Sequence, residues 1–546
     1  MSGLSRIVNN TLISLVGQLV TWASTLSLTI AYGRFLGDVK FGELYFAITF
    51  VSLVGFPVEL GFNQQLTRDV AEDPEKSHVY LWNTLLIKML LWILLYGVVL
   101  VVSWLLGYSQ EVRDLVAICG VTLLSGALVN TFASLHYAFE RTLFPAAGMM
   151  IEKGLSACVG FILLRNGAAV QTMALVLLGG SLLDLAWQSC WFFRLTGLEV
   201  AVSKKILRRL IHGSIPFVVY GVLGVLYYRI DTVLLSLMTN SAVVGWYGAG
   251  YRLFDTLLFI PNLILNAVMY PVFSKLSASA RSSLRVAVEK CMDLLLICSI
   301  PIATLMIVAA PNIVGFLYHR AEFNNTIPVI QALAPGLVFL YINTLFGSVI
   351  VSTKKERKIP ISAAVALVFN LGLNLFLIPL YHQVGAALVT SLTELLLLVL
   401  SIFFMPASLL PWRSIIVGSK ALLAALVMTL VVFFLKTWSI LLILPVAALT
   451  YGGVTILLRT VPREDMRRLY VAVRYKSKSA STQIVAISSV DDNVHSRITE
   501  KIPVVRSEMQ ANPGVIQEED DITERLPLVR ARRIIPGVDA LQEGEG

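Results

Sequence analysis

The sequence has little charge. Of its 546 residues, 14% are Asp, Glu, Lys or Arg and 57% are hydrophobic, and the mean hydropathy is +0.78. A soluble domain carries about 25% charged residues. A chain with so few cannot dress its own surface for water, so lipid must solvate much of it. Histidine is scarce too, with six residues scattered along the chain. HExxH, Walker A and GxSxG patterns are missing, which removes the readable routes to metalloprotease, nucleotide-driven and serine-hydrolase chemistry. The five cysteines, Cys119, Cys158, Cys190, Cys291 and Cys298, all sit in apolar stretches without CxxC spacing. They read as small hydrophobes rather than zinc ligands or disulfides. Neither a metal nor a cofactor is expected. Long polar outer loops are also wanting, which argues against a membrane polymerase or ligase.

Long apolar runs are abundant. About 20 apolar residues span a bilayer as a helix, and about fourteen such runs are present: 11–32, 42–64, 80–106, 114–137, 146–164, 170–193, 214–237, 242–268, 287–309, 326–352, 360–380, 384–405, 414–435 and 439–458. The first is too long for the core of a cleaved signal peptide and is expected to be the first span. With the N-terminus inside, the inner loops hold Arg68, Lys76, Arg141, Arg194, Lys204, Lys205, Arg208, Arg209, Lys275, Arg281, Arg285, Lys354, Lys355, Arg357, Lys358 and Arg413. The outer loops hold Arg34, Lys40, Arg113, Arg165, Arg320 and Lys436. This bias of roughly threefold is the positive-inside pattern, and it absorbs the net charge of +9 without nucleic-acid binding. The expected fold is an all-α integral membrane protein of about 14 transmembrane helices, in the plasma membrane, with both termini cytoplasmic.

Beyond about residue 460 the character changes. A basic amphipathic segment with Arg463, Arg467, Arg468, Arg474 and Lys476 suits the surface of an anionic leaflet. The remainder, 461–546 overall, is polar, with the acidic run Glu518-Glu519-Asp520-Asp521. It is expected to be a mostly disordered cytoplasmic tail that leaves room for polysaccharide-synthesis proteins to dock. Within the spans there is a weak repeat. Phe41-Gly42-Glu43-Leu44-Tyr45 and Val244-Gly245-Trp246-Tyr247 each open an even-numbered span, with Pro57 and Pro261 further on, which suggests a duplicated six-helix half.

Asn9-Asn10-Thr11, Gly33-Arg34-Phe35-Leu36-Gly37, Phe41-Gly42-Glu43-Leu44-Tyr45, Arg229-Ile230-Asp231 and the run from Val244 to Arg252, in that order, resemble the polysaccharide and O-antigen flippases of the multidrug/oligosaccharidyl-lipid/polysaccharide exporter superfamily. The resemblance covers about residues 5–460. It implies two six-helix lobes, 1–200 and 201–410, around a central cavity, with two additional helices in 411–460. It also implies, as substrate, a polyprenyl-diphosphate-linked oligosaccharide moved from the cytoplasmic to the outer leaflet, for export of exopolysaccharide or O-antigen. The alternative in the same superfamily is a cation-coupled multidrug efflux antiporter.

Charges inside spans are costly and so mark candidate sites. Arg34, Arg229 and Arg252 are candidates for binding the diphosphate, since the guanidinium fork matches phosphate oxygens. Asp231, Asp255 and Glu394 are candidates for ion pairing or for a coupling cation, beside the other in-span acids Glu59, Asp184 and Asp293. One arrangement pairs Asp231 with Arg252 and frees Arg229; the other is a purely structural ion-pair network. Arg34 reads equally as an interfacial anchor. Lys88, near the inner end of its span, is expected to snorkel. Asn370 and Asn374, one helical turn apart, are expected to bond between helices or to contact sugar.

Overall fold

A computed structural model describes residues 3–59, 61–265, 269, 272–273, 276 and 281–460. Lys275 and the tail after 460, with its basic start, acidic run and docking role, lie outside the described residues. In chain order the helices are α1 (Gly3–Gly55), α2 (Phe62–Glu72), α3 (Ser77–Leu105), α4 (Gln110–Ala138), α5 (Leu143–Arg165), α6 (Val170–Thr196), α7 (Lys204–Met238), α8 (Ser241–Leu257), α9 (Phe259–Ile264), α10 (Arg281–Val308), α11 (Ala310–Tyr318), α12 (Ile327–Ser352), α13 (Ile359–Phe404), α14 (Ser414–Phe434) and α15 (Ile440–Leu457). No strand occurs among the described residues.

Among the described residues, eleven helices are long and apolar enough to cross a membrane. Two of them are too long to cross once. At 1.5 Å per residue a helix of 46 residues runs about 70 Å, more than twice the hydrocarbon thickness. Both are broken at one residue with non-helical backbone: α1 at Gly37 (φ 80°, ψ 175°) and α13 at His382 (φ 48°, ψ −125°). At His382 the chain folds back, so that Gly385 lies against the Leu377 carbonyl. Counting these two as pairs, and α8 as a crossing although it has only 17 residues, gives the fourteen passes expected. The division between the fifth and sixth spans falls where expected, with Gly167 in the left-handed region (φ 79°) between α5 and α6. The sequence reading did not foresee α2 or α11, two short helices at opposite ends of the bundle. α2 has an apolar face, Phe62, Leu66 and Val70, buried against Leu81, Leu135 and Phe192.

A large core joins α1, α4, α6, α7, α8, α10, α12 and α13. The α14–α15 hairpin packs separately onto α10 and α11, through Ala421, Ala424, Met428, Ile443 and Ala447 against Ile300 and Ala309. It is tied there by Tyr451 Oη donating to the Ile297 carbonyl at 2.8 Å. Many large apolar side chains, such as Leu94, Trp104, Phe403, Phe434 and Leu457, remain exposed, as lipid-facing residues do.

Candidate functional site

The two repeat motifs meet at the end of the bundle that carries Gly37. A Cβ on Gly42 would collide with the backbone carbonyl of Ser241, and one on Gly245 with that of Asp38. Small residues allow this close backbone crossing of α1 and α8. Side chains then close the surface around it. Trp246 Nε1 donates to Asp38 Oδ2 at 2.9 Å. Arg34 Nε donates to the Leu317 carbonyl at 2.6 Å, and its Nη2 donates to the Phe316 carbonyl. These carbonyls end α11 and have no partner within the helix, so a cation caps them well. Arg320 returns the contact, donating from Nε to the Arg34 carbonyl at 2.8 Å. Tyr318 stacks on Phe323 at 4.4 Å, and Phe323 meets Phe41 edge-on.

Beneath this seal lies a cluster of charged and phenolic groups. Arg229 Nη2 pairs with Asp255 Oδ2 at 2.9 Å. Tyr228 Oη donates to Asp255 Oδ1 at 2.8 Å. Arg229 Nη1 reaches Tyr45 Oη at 3.5 Å, while the Arg252 guanidinium lies 5.5 Å over the Tyr45 ring. Tyr45, on the second half of α1, is thus held between two arginines from α7 and α8. Asp231 is buried and accepts from Tyr247 Oη, from Thr390 Oγ1 at 3.4 Å and from the Thr232 amide at 2.6 Å.

A cavity of about 830 Å³ opens from this cluster toward the opposite end. Arg229, Tyr228, Asn343 and Glu394 line its closed part. Ser52, Phe56, Gly221, Val351, Ile359 and Phe404 line it toward the far end. Asn343 Nδ2 donates to both the carboxylate and the carbonyl of Glu394, each at 2.8 Å.

Of the residues singled out from sequence, Arg229 and Glu394 line the cavity and Asp255 touches it through Arg229. Arg34 is spent on the seal, and Arg252 lies over Tyr45. Of the two arrangements the sequence left open, the Asp231–Arg252 pair is not formed. Arg229, whose helix α7 faces α8 across their short connection, takes Asp255, and hydroxyls satisfy Asp231. Lys88 does not snorkel. It is fully buried, with Nζ 3.0 Å from Asn63 Oδ1, 2.8 Å from the Ala127 carbonyl and 3.8 Å from Glu59 Oε2. The carboxylate of Glu59, placed by Asn63 and Asn130 at 3.1 Å each, gives the ammonium a partner inside the bundle. Asn370 bonds Thr393 at 3.3 Å and Asn374 bonds Asn370 at 2.8 Å, fastening the two halves of α13. Sequence reasoning missed Tyr45, Tyr228 and Asn343. An Asn in the middle of an apolar run, as at 343, was a readable signal.

Fold and cavity together define a many-span helical membrane transporter closed at one end. Residues 7–277 match the family described as "Polysaccharide biosynthesis protein", and residues 216–377 match the MatE family. The probable low-salt glycan biosynthesis flippase Agl15 of Haloferax volcanii is 19% identical over 370 residues, covering 66% of this chain and 75% of that protein. An uncharacterized membrane protein of Methanocaldococcus jannaschii, MJ1068, is 25% identical over 210 residues, 38% of this chain and 41% of that one. The fold matches the lipid II flippase MurJ in an inward closed conformation with a TM-score of 0.70 at 16% identity, over 82% of this chain and 99% of MurJ. It also matches an inward-facing multidrug resistance MATE family transporter of the MOP superfamily, with a TM-score of 0.58 at 13% identity over 75% and 98%. By these matches the chain is similar to the polysaccharide flippases of the multidrug/oligosaccharidyl-lipid/polysaccharide exporter superfamily.

Proposed function

We propose that this protein flips a polyprenyl-diphosphate-linked oligosaccharide from the cytoplasmic to the outer leaflet of the plasma membrane, for polysaccharide biosynthesis and export, by alternating access and without covalent catalysis. The observation that carries this reading is Arg229 at the closed end of the 830 Å³ cavity. A diphosphate needs cationic donors away from bulk water, and a guanidinium offers five. Here one side of the fork faces Asp255 and another faces Tyr45, so an incoming anion competes with both. Tyr45 belongs to the sealed crossing, which gives the substrate a direct handle on the seal. Residues 1–200 and 201–410 act as two lobes that rock about this crossing, and 411–460 form an accessory pair. The positive-inside bias makes the open end cytoplasmic, with both termini on that side. Arg252 and Arg34 serve the outward-facing half of the cycle, when their contacts to Tyr45 and α11 are released. Asp231 and Glu394 are the acids available to a coupling cation.

Arg229→Ala and Arg229→Lys, checked for membrane insertion and assayed for polymer export, test the reading. The expected loss for Ala is about 10- to 100-fold, the value of a charge-assisted contact, with Lys in between. Normal export from a well-inserted Ala variant overturns it. The drug-antiporter alternative draws on Glu394 in the cavity, but the adjacent guanidinium repels the cationic drugs that alternative requires.

A further inference from the structure

One short connection frames the mouth of the cavity. Ile350 and Val351, in the last turn of α12, line it before the connection, and Ile359 and Ser362, in the first turn of α13, line it after. Residues 354–358 between them read Lys-Lys-Glu-Arg-Lys, four cations and one acid in five positions. None of the four cations forms an ion pair among the described residues. Lys354 and Arg357 are exposed, while Lys355 and Lys358 are half-buried. The connection is fixed rather than loose. Lys354 adopts a left-handed backbone (φ 58°) that ends α12. The Lys354 and Lys355 amides donate to the Val351 and Ile350 carbonyls at 3.0 Å, and the Lys358 amide donates to the Lys355 carbonyl at 3.1 Å. The Lys358 ammonium sits 5.1 Å over the ring of Phe404, itself a wall of the mouth. From Phe404 to Glu394 at the closed end is ten helical residues, about 15 Å.

We infer that Lys354, Lys355, Arg357 and Lys358 form a capture site for the diphosphate of the lipid-linked substrate, occupied before the diphosphate reaches Arg229. This rests on the function proposed above. Positive residues at a cytoplasmic helix end commonly serve only to orient a membrane protein. Here the cations stand on the rim of the cavity, in a fixed turn, without a carboxylate partner among the described residues. A phosphate on a membrane lipid is the chemistry that balances them. Diphosphate substrate and anionic phospholipid share that chemistry, and the sugar-carrying lipid is the one that must enter the mouth they surround.

The test uses full-length protein in phosphatidylcholine vesicles, with initial flipping rates measured against the density of a lipid-diphosphate-linked fluorescent oligosaccharide. Three forms are compared with wild type: Lys358→Gln alone, glutamine at all four positions, and Lys354→Arg/Lys355→Arg/Lys358→Arg. Four glutamines are expected to raise the apparent KM about tenfold or more while the maximal rate stays within about twofold. Lys358→Gln falls between, and the arginine form behaves as wild type. The difference shrinks at high salt, as a screened surface interaction does. An unchanged apparent KM in a correctly oriented four-glutamine variant overturns the inference, since the cations then only set orientation. Competition by phosphatidylglycerol as strong as that by undecaprenyl diphosphate also overturns it, since the site is then a general anionic-lipid surface. Farnesyl diphosphate titrated onto Arg229→Ala protein reads the collar whether or not flipping is detected. Binding lost on adding the four glutamines supports the capture site, and retained binding refutes it. Failure of the flippase reading shows separately, as wild-type protein that moves no substrate.

Discussion

Closing the bundle at the Gly37 end depends on two glycines, and the cost of filling them can be worked from the geometry. A Cβ on Gly245 would overlap the carbonyl of Asp38, and one on Gly42 would overlap that of Ser241. In both cases the obstacle is backbone, which cannot step aside as a side-chain tip can. Gly245→Ala therefore forces α8 away from α1 in the closed form and leaves a form with these helices apart untouched. Overpacking of this kind costs about 1–3 kcal/mol. If that cost falls on the closed form alone, the equilibrium between the two forms shifts roughly 5- to 150-fold. The assay is a distance distribution between spin labels at Gln110→Cys and Asn324→Cys. Both sites are exposed, at the start of α4 and between α11 and α12. The exposed Cys158 and Cys190 are replaced by Ser beforehand. Gly245→Ala is expected to add or enlarge a longer-distance component. Gly97→Ala, where a Cβ meets nothing within 4 Å, is expected to leave the distribution unchanged. A Gly245→Ala protein that is as stable as its parent and shows the parent distribution refutes the argument.

Arg34→Ala removes both guanidinium bonds to the end of α11 and is expected to lengthen the same distances. Arg34→Lys restores less than full closure, because an ammonium lacks the fork. Lys88→Met strands the carboxylate of Glu59 beside an apolar chain and is expected to lower unfolding stability by about 3 kcal/mol, read as a fall in the thermal midpoint; adding Glu59→Gln should recover most of it. Asn343→Leu takes away the amide that orients Glu394 in the cavity. Flipping by well-inserted protein is expected to fall about tenfold, the value of one buried hydrogen bond to a charged group.

The all-α, many-pass architecture was legible because it follows from composition at a fixed length scale, the bilayer thickness. The repeat was legible as a pattern, but its meaning was not. Nothing in Gly42 or Gly245 alone says that they touch each other, because that contact joins residues some 200 positions apart. The charged residues at 229, 231, 252 and 255 stood out in the sequence, yet the sequence left their pairing open. Which carboxylate meets which guanidinium depends on the rotation of α7 against α8, and rotation is set by packing that periodicity does not encode. Lys88 was misread for a similar reason. Snorkelling is the default where no partner is known, and its partner Glu59 lies in a turn that the apolar run had hidden. Tyr228 went unremarked because uncharged polar residues in spans are common and only the cavity distinguishes it, whereas Asn343, a lone amide in an apolar run, carried a signal that was passed over.

The most direct test of the central claim is movement of a lipid-diphosphate-linked fluorescent oligosaccharide in proteoliposomes, with reagent accessibility reporting the leaflet that holds the sugar. The account predicts protein-dependent transfer that Arg229→Ala slows. Vesicles in which wild-type protein leaves the sugar in place, while exchanging cationic dyes for sodium ions or protons, would contradict it and point to the drug antiporter.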